Sequence, residues 1–268
     1  MALVQVGDIE LDVERSGSGP PLLLIMGMSG TSLHWGEPFL EQLRRDFDVI
    51  AYDHRGVGAS SRLADGQVTI AGMAEDAAGL LGALGLDSAH VLGISMGGMI
   101  AQELALAHPE MVRTLTIGCT YCGGEGSALS PPEVIGKLGE AMMSGDRERA
   151  VRTGWEANVS ERFADDPDAW GAFAAIAARR AVAVPVIMSQ MQAVGAHDTS
   201  SRLPSLAMPT LVIHGTEDQM LPVSNGRLIA SLIPGSQLEI LDGTGHLFFW
   251  EQPERSAELV RAHAAVRA

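Results

Sequence analysis

Positive charge is scarce in this sequence: 18 Lys and Arg stand against 33 Asp and Glu, for a net charge of −15. A surface of that sign repels phosphate backbones and anionic membranes, so neither nucleic acid nor a membrane is an expected partner, and most of the charge is read as solvated surface. Cysteine is scarcer still, with only Cys119 and Cys122, spaced C-x-x-C. No second pair completes a zinc site and no redox motif surrounds them, so a redox protein is a weakly supported reading. Cys119 ends an apolar strand-like run, where a buried free thiol is the expectation. No apolar run approaches the length of a membrane span. The N-terminal MALVQVGDIELDV lacks the basic-then-apolar pattern of a secretory signal. A cytoplasmic protein is expected, with no metal and no cofactor. Internal repeats and low-complexity tracts are also missing, apart from Ala-rich patches such as AAIAARRAVAV.

What is present is a chain of 268 residues, 46% hydrophobic, enough for one main domain with a sizeable core. Short runs rich in Val, Ile and Leu alternate with stretches of helical period, the pattern of an α/β protein with a largely parallel sheet. VQV and IELDVER, separated by Gly7 and Asp8, read as a hairpin. PLLLIM (Pro21 to Met26) has no polar alternation and reads as a strand buried on both faces. FDVIAYD, AHVLGI, VRTLTIGC, TLVIHG and SQLEIL continue the series, with helices beginning near Leu33, Ile70, Met96, Asn225 and Pro253, the third ending at Pro109. About ninety residues separate Cys119 from Thr210, far more than a βα connection needs. The expected division is therefore a core in two parts, 1–122 and 206–268, with a helical lid inserted at 123–205, over the sheet edge where open α/β sheets bind ligands.

GISMGG, Gly93 to Gly98, sits between a strand run and a helical run. The pattern G-x-S-x-G alone is weak in a chain with 31 Gly, but strand, G-I-S-M-G, helix is the context that holds a serine on a strained turn. Ser95 would then need a base, and the base an orienting acid. His246 is the candidate base, because it follows the last strand in a Gly-rich loop that can reach back over the sheet edge. His54, His90, His108, His197 and His263 lack such a placement. His34 could line the pocket and His214 ends a strand, and packing is the expected role of each. For the acid, HGTEDQMLP offers both Glu217 and Asp218.

Together these segments resemble the α/β-hydrolase-fold serine hydrolases over nearly the whole chain. The likeness includes YDHRGVGAS, similar to the family's D-x-R-G-x-G-x-S loop, GTEDQMLP, similar to its G-x-x-D-x-x-x-P, and GTGHLFFWEQPE, similar to its histidine loop. It implies an eight-stranded, mostly parallel sheet flanked by helices, with the lid after the sixth strand. It also implies Ser95 as nucleophile, His246 as base and Asp218 as acid, with oxyanion-hole N–H groups from Met28 and Met96. Gly27, Trp35, Met99 and Trp155 are the substrate-binding candidates. The sequence departs from the pattern at Met26, where many relatives carry a histidine that supports the loop ahead of Met28.

The resemblance implies hydrolysis of a small or medium uncharged carboxylic ester through an acyl-enzyme, as in esterases and in the cofactor-free haloperoxidase-like and aclacinomycin-methylesterase-like members. Enol-lactonase, perhydrolase and carbon–carbon bond hydrolase activities are alternatives on the same triad. A non-catalytic small-molecule receptor is the alternative of another class. The expected partner is a small ester or lactone, with a homo-oligomer left open.

Overall fold

The apolar runs of the sequence become eight strands: β1 (Ala2–Val6), β2 (Ile9–Gly17), β3 (Pro21–Ile25), β4 (Asp48–Tyr52), β5 (Ala89–Ile94), β6 (Val112–Gly118), β7 (Thr210–Gly215) and β8 (Gln237–Leu241). The computed structural model describes residues 2–63 and 68–266. All eight strands join one sheet in the order β1-β2-β4-β3-β5-β6-β7-β8. Only β2 runs against its neighbours, and every pairing from β4 through β8 is parallel. Parallel neighbours require crossovers, and these are helices that cover both faces.

That double cover explains why β3 carries no polar residue. Leu23 and Ile25 point into the core shared with α2 (Ile70–Ala83) and α3 (Met96–Ala107), whereas Leu22 and Leu24 point into the opposite core with α1 (Glu37–Arg44). Each buried leucine contributes about 2 kcal/mol of transfer free energy. A polar substitution on either face would therefore be unfavourable, whichever way the strand was set. The Thr69 hydroxyl caps α2 by accepting from the Gly72 N–H. α3 stops at Ala107, two residues short of Pro109. The helix expected near Leu33 starts later than its apolar pattern suggests. Ser32–Trp35 form a 3-10 turn, and Gly36, at φ +72°, breaks the run before α1 begins with Pro38 in its first turn.

Between β6 and β7 lie five helices: α4 (Pro132–Met143), α5 (Arg147–Asn158), α6 (Glu161–Ala164), α7 (Pro167–Arg179) and α8 (Val184–Gly195). The last strands are followed by α9 (Ser224–Leu232), α10 (Phe248–Glu251) and α11 (Pro253–Ala264). Among the described residues no single helix is long and apolar enough to cross a membrane; α7 and α8 reach that length only jointly, across a 109° bend.

One ion-pair cluster fastens the inserted helices to the sheet. Arg180, just past α7, donates to Asp12 Oδ2 at 2.7 Å and to Asp53 Oδ2 at 2.6 Å. Both carboxylates are buried, and Asp53 Oδ1 also accepts from the Ser32 N–H at 2.6 Å. Two carboxylates this close and this dry depend on the guanidinium. Breaking a buried pair by removing one partner costs about 3–5 kcal/mol. Arg180→Met is expected to lower the melting temperature by at least about 5 °C, and adding Asp12→Asn should recover part of it by removing one stranded charge. Calorimetry on the two variants and the parent is the measurement, and an unchanged melting temperature in Arg180→Met would contradict the assignment.

Candidate active site

Ser95 sits between the last residue of β5 and the first of α3, with φ +57° and ψ −124°. This is the left-handed region, which costs a non-glycine residue about 1–2 kcal/mol, so the surroundings must hold it. The Ser95 N–H donates to the Gly118 carbonyl at 3.0 Å, and Thr120 Oγ1 donates to the Ser95 carbonyl at 2.6 Å. Both partners come from the end of β6. The flanking glycines are required by contact: a Cβ on Gly93 would collide with the Gly97 carbonyl oxygen, and one on Gly97 with the carbonyl oxygens of Ile25 and Met26.

The loop after β3 lies against this turn. A Cβ on Gly27 would stand 3.1 Å from Ser95 Cβ and 3.6 Å from its Oγ. Among the described residues, the backbone N–H groups of Met28 and Met96 donate to no protein acceptor. That of Met96 belongs to the first turn of α3, where unpaired N–H groups and the helix dipole favour negative charge. The buried Met26 side chain packs over Gly30, and the Met26 carbonyl accepts from His54 Nε2 at 2.8 Å. Burial lowers the pKa of His54, so the ring is a neutral Nε2–H donor.

Asp218 and His246 meet at the ends of β7 and β8. Asp218 Oδ1 accepts from the backbone N–H groups of Met220, at 2.8 Å, and Leu221, at 2.9 Å. Its Oδ2 accepts from His246 Nδ1 at 2.8 Å. The His214 Nε2–H donates to the Leu221 carbonyl at 2.8 Å and lies 3.1 Å from the same Oδ2. Burial alone would raise the Asp218 pKa. The positive charge an imidazolium at His246 would bring and the hydrogen bonds of the two imidazoles outweigh it and hold the carboxyl well below the usual range. With Nδ1 donating, His246 Nε2 keeps its lone pair, the tautomer a general base needs. Among the described residues no hydrogen bond joins Ser95 to His246, a link that is often long before substrate binds. Glu217 is exposed, and its backbone N–H supports the histidine loop by donating to the Thr244 carbonyl at 2.9 Å. Of the two acids left open by the sequence, Asp218 is the one in contact with His246.

Cys119 and Cys122 are free and buried. Cys119 Sγ lies within 4.8 Å of ligand atoms of both Asp218 and His246. Burial, followed by the charge of Asp218, pushes its thiol pKa up. A cation there would need a thiolate, and it would compete with the three hydrogen bonds already on Asp218, so the donor set suits the His246–Asp218 pair better than a metal.

A family model described as the alpha/beta hydrolase fold matches residues 20–253. The chain belongs to the α/β hydrolase fold family. A putative carbamate hydrolase, RutD, of Azorhizobium caulinodans is 32% identical over 95% of this chain and 94% of that one. A 2-hydroxymuconate semialdehyde hydrolase of Pseudomonas putida is 31% identical over 93% and 88%. Among solved structures, the esterase RhEst1 from Rhodococcus sp. ECU1013 superposes with a TM-score of 0.84 at 27% identity, covering 99% of this chain and 98% of that one. These relatives support hydrolysis as the activity class.

In this α/β hydrolase three of the four substrate-binding candidates need correction. Trp35 is wholly buried, its ring 4.8 Å from that of Phe249; Met99 is packed in the core between α3 and the sheet; and Trp155 is enclosed by Phe163, Phe173 and Trp250, its indole N–H donating to the Ala164 carbonyl at 3.0 Å. Trp35 and Trp155 retain no accessible surface and Met99 only 1%, too little to line a substrate pocket. Gly27 does lie against Ser95. His34 donates no Nδ1 proton, since Nδ1 accepts from the Thr31 N–H at 3.0 Å, and its ring stacks edge-on to Phe173.

The positions that sequence reasoning missed hold loops from a distance. Glu251 Oε1 accepts from the N–H groups of Gly245 and Ser160, both at 2.8 Å, and so ties the His246 loop to the inserted helices. Its place five residues after His246, in HLFFWE, is the signal that was available. His54, inside the quoted YDHRGVGAS, was passed over because its partner is a carbonyl 28 residues away.

Two predictions follow from the site's charges. Asp218→Asn should lower kcat/KM by roughly ten-thousandfold, because an amide cannot hold the required tautomer and stabilise the imidazolium, whereas Glu217→Gln should cost little; comparing both on one activated ester, with melting temperatures, makes the test. The second concerns acid stability. Burial lowers His34 and His197 to about 4 each, while in the unfolded chain they take up protons near pH 6.5. The unfolded state therefore binds more protons below that value. Stability is full above pH 6.5 and falls by up to roughly 3 kcal/mol per histidine as the pH drops toward 4. Melting temperatures across this window should fall, and less steeply in His197→Gln. A flat profile would contradict the burial argument.

Proposed function

We propose that the chain is a serine hydrolase that cleaves a small or medium uncharged carboxylic ester through an acyl-enzyme. The observation that carries the reading is the buried Asp218 carboxylate holding His246 Nδ1 at 2.8 Å, at the same sheet edge as a serine in a strained strand-to-helix turn. In this reaction Ser95 Oγ attacks the ester carbonyl while His246 Nε2 takes its proton. The oxyanion receives hydrogen bonds from the Met28 and Met96 N–H groups, which have no acceptor among the described residues. Collapse of the tetrahedral species breaks the ester C–O bond, and the alcohol leaves with the proton from His246. Water, deprotonated by the same nitrogen, then releases the acid from Ser95. Likeness to an esterase over 99% of the chain supports this choice of bond, and the net charge of −15 argues against anionic substrates.

A carbon–carbon bond hydrolase is the second reading, favoured by 31% identity to a 2-hydroxymuconate semialdehyde hydrolase. A panel of acyl esters, carbamates, lactones and dienone-type substrates separates the two by turnover. Ser95→Ala should lower ester turnover by at least about a thousandfold with the fold intact, and a fluorophosphonate should label the parent at Ser95. Labelling elsewhere, or an active Ser95→Ala, would overturn the mechanism; binding without turnover or labelling would favour a receptor.

A further inference from the structure

The loop that carries Met28 has a demanding conformation. The Gly30 N–H donates to the Gly27 carbonyl at 3.3 Å, closing a turn with Met28 and Ser29 at its centre. Ser29 has φ +58°. Positive φ at the second central position is the mark of a type II turn, where glycine is the preferred residue. Serine there favours the alternative in which the Met28–Ser29 peptide plane flips and φ returns to negative values. Something must hold that peptide.

The holder comes from 161 residues away. Gln190, on α8 in the inserted region, accepts from the Ser29 N–H through Oε1 at 2.9 Å. The Ser29 N–H belongs to the peptide that would flip. Gln190 has no accessible surface, and among the described residues its buried Nε2 has no hydrogen-bond partner. A buried amide that leaves its donor unsatisfied is costly, so the side chain makes sense at this position for its acceptor alone. A second bond, from the Val68 N–H to Ser189 Oγ at 2.8 Å, docks the same turn of α8 on the core.

We propose that Gln190 is a positioning residue for the oxyanion hole. It locks the Met28–Ser29 peptide and so keeps the turn closed by the Gly30 N–H on the Gly27 carbonyl, whose peptide plane carries the Met28 N–H, aimed at the developing oxyanion only while α8 is docked. The inference rests on the proposed role of Met28 and extends it: the inserted helices complete the catalytic machinery as well as covering it. Gln190 touches no reacting atom, so its loss should appear in the transition state and hardly in substrate binding.

The test uses Gln190→Met, which keeps the volume and removes the acceptor, together with Gln190→Glu, which keeps an oxygen in place. Ser29→Pro approaches from the exposed side of the contact, by removing the donor and forbidding positive φ. On one activated ester, Gln190→Met and Ser29→Pro should lose about tenfold or more in kcat, with KM nearly unchanged. The Ki of a boronic acid, whose tetrahedral adduct fills the oxyanion hole, should rise by the same factor. Gln190→Glu should recover most of the loss. The decisive variant is Ser29→Gly in the Gln190→Met background, which should restore kcat because glycine takes φ +58° without help. A purely structural role for Gln190 would not be rescued from the loop. Unchanged kcat in Gln190→Met, or loss of kcat that neither Gln190→Glu nor Ser29→Gly restores, would overturn the proposal while Ser95→Ala stays inactive. Full turnover in Ser95→Ala would overturn the mechanism and this inference with it.

Discussion

The candidate active site depends on one close approach, that of the first turn of α3 to the end of β3. At Gly97 the helix backbone comes so near the Ile25 and Met26 carbonyls that no side chain fits between them. That contact puts the α3 N-terminus, with the Met96 N–H, beside the loop that carries Met28. It also forces Ser95 into its left-handed conformation, because the chain must turn from strand to helix within one residue. The strain is stored locally and is balanced by bonds from β6, through Gly118 and Thr120.

Around this approach the supports come in pairs, one from the core and one from the inserted helices. The loop that carries Met28 is held by His54 from the core and by Gln190 from α8. The histidine loop is held by Asp218 from the core and, through Glu251, by Ser160 from the segment between α5 and α6, with the Leu247 N–H also donating to the Asn158 carbonyl at 2.8 Å. Arg180 repeats the arrangement under the Asp53 loop. In each case a backbone segment near the reaction centre is positioned by a residue far away in the chain. Such a design lets a shared sheet carry different chemistries, since the inserted helices can change both the enclosure and the precision of the loops.

The acid and its imidazoles follow a different logic. Asp218 is buried, yet its carboxyl is held ionised because every polar neighbour of its oxygens donates: two backbone N–H groups, His246, and the edge of His214. A buried carboxylate surrounded in this way is rigid as well as charged, which suits the orienting role proposed for it.

Strand positions and the glycine-flanked turn at Ser95 were legible in the sequence because they arise from local rules, whereas the order Ser95, Asp218, His246 came from the likeness to the α/β-hydrolase pattern. Period two or unbroken apolar runs, glycine at a crowded turn, and proline at a helix end act within a few residues. The late start of α1 followed the same kind of rule, Gly36 followed by Pro38, masked by the apolar residues around it. The residues themselves left Glu217 and Asp218 open and only the resemblance favoured Asp218; tertiary structure puts Asp218 rather than Glu217 against His246, since adjacent residues differ in which side of the loop they face. It also buried Trp35, Met99 and Trp155, whose apolar character suits a pocket wall and a core equally well. And it gave Gln190 and His54 their partners, because a single hydrogen bond between residues 161 or 28 positions apart leaves no periodicity or spacing behind.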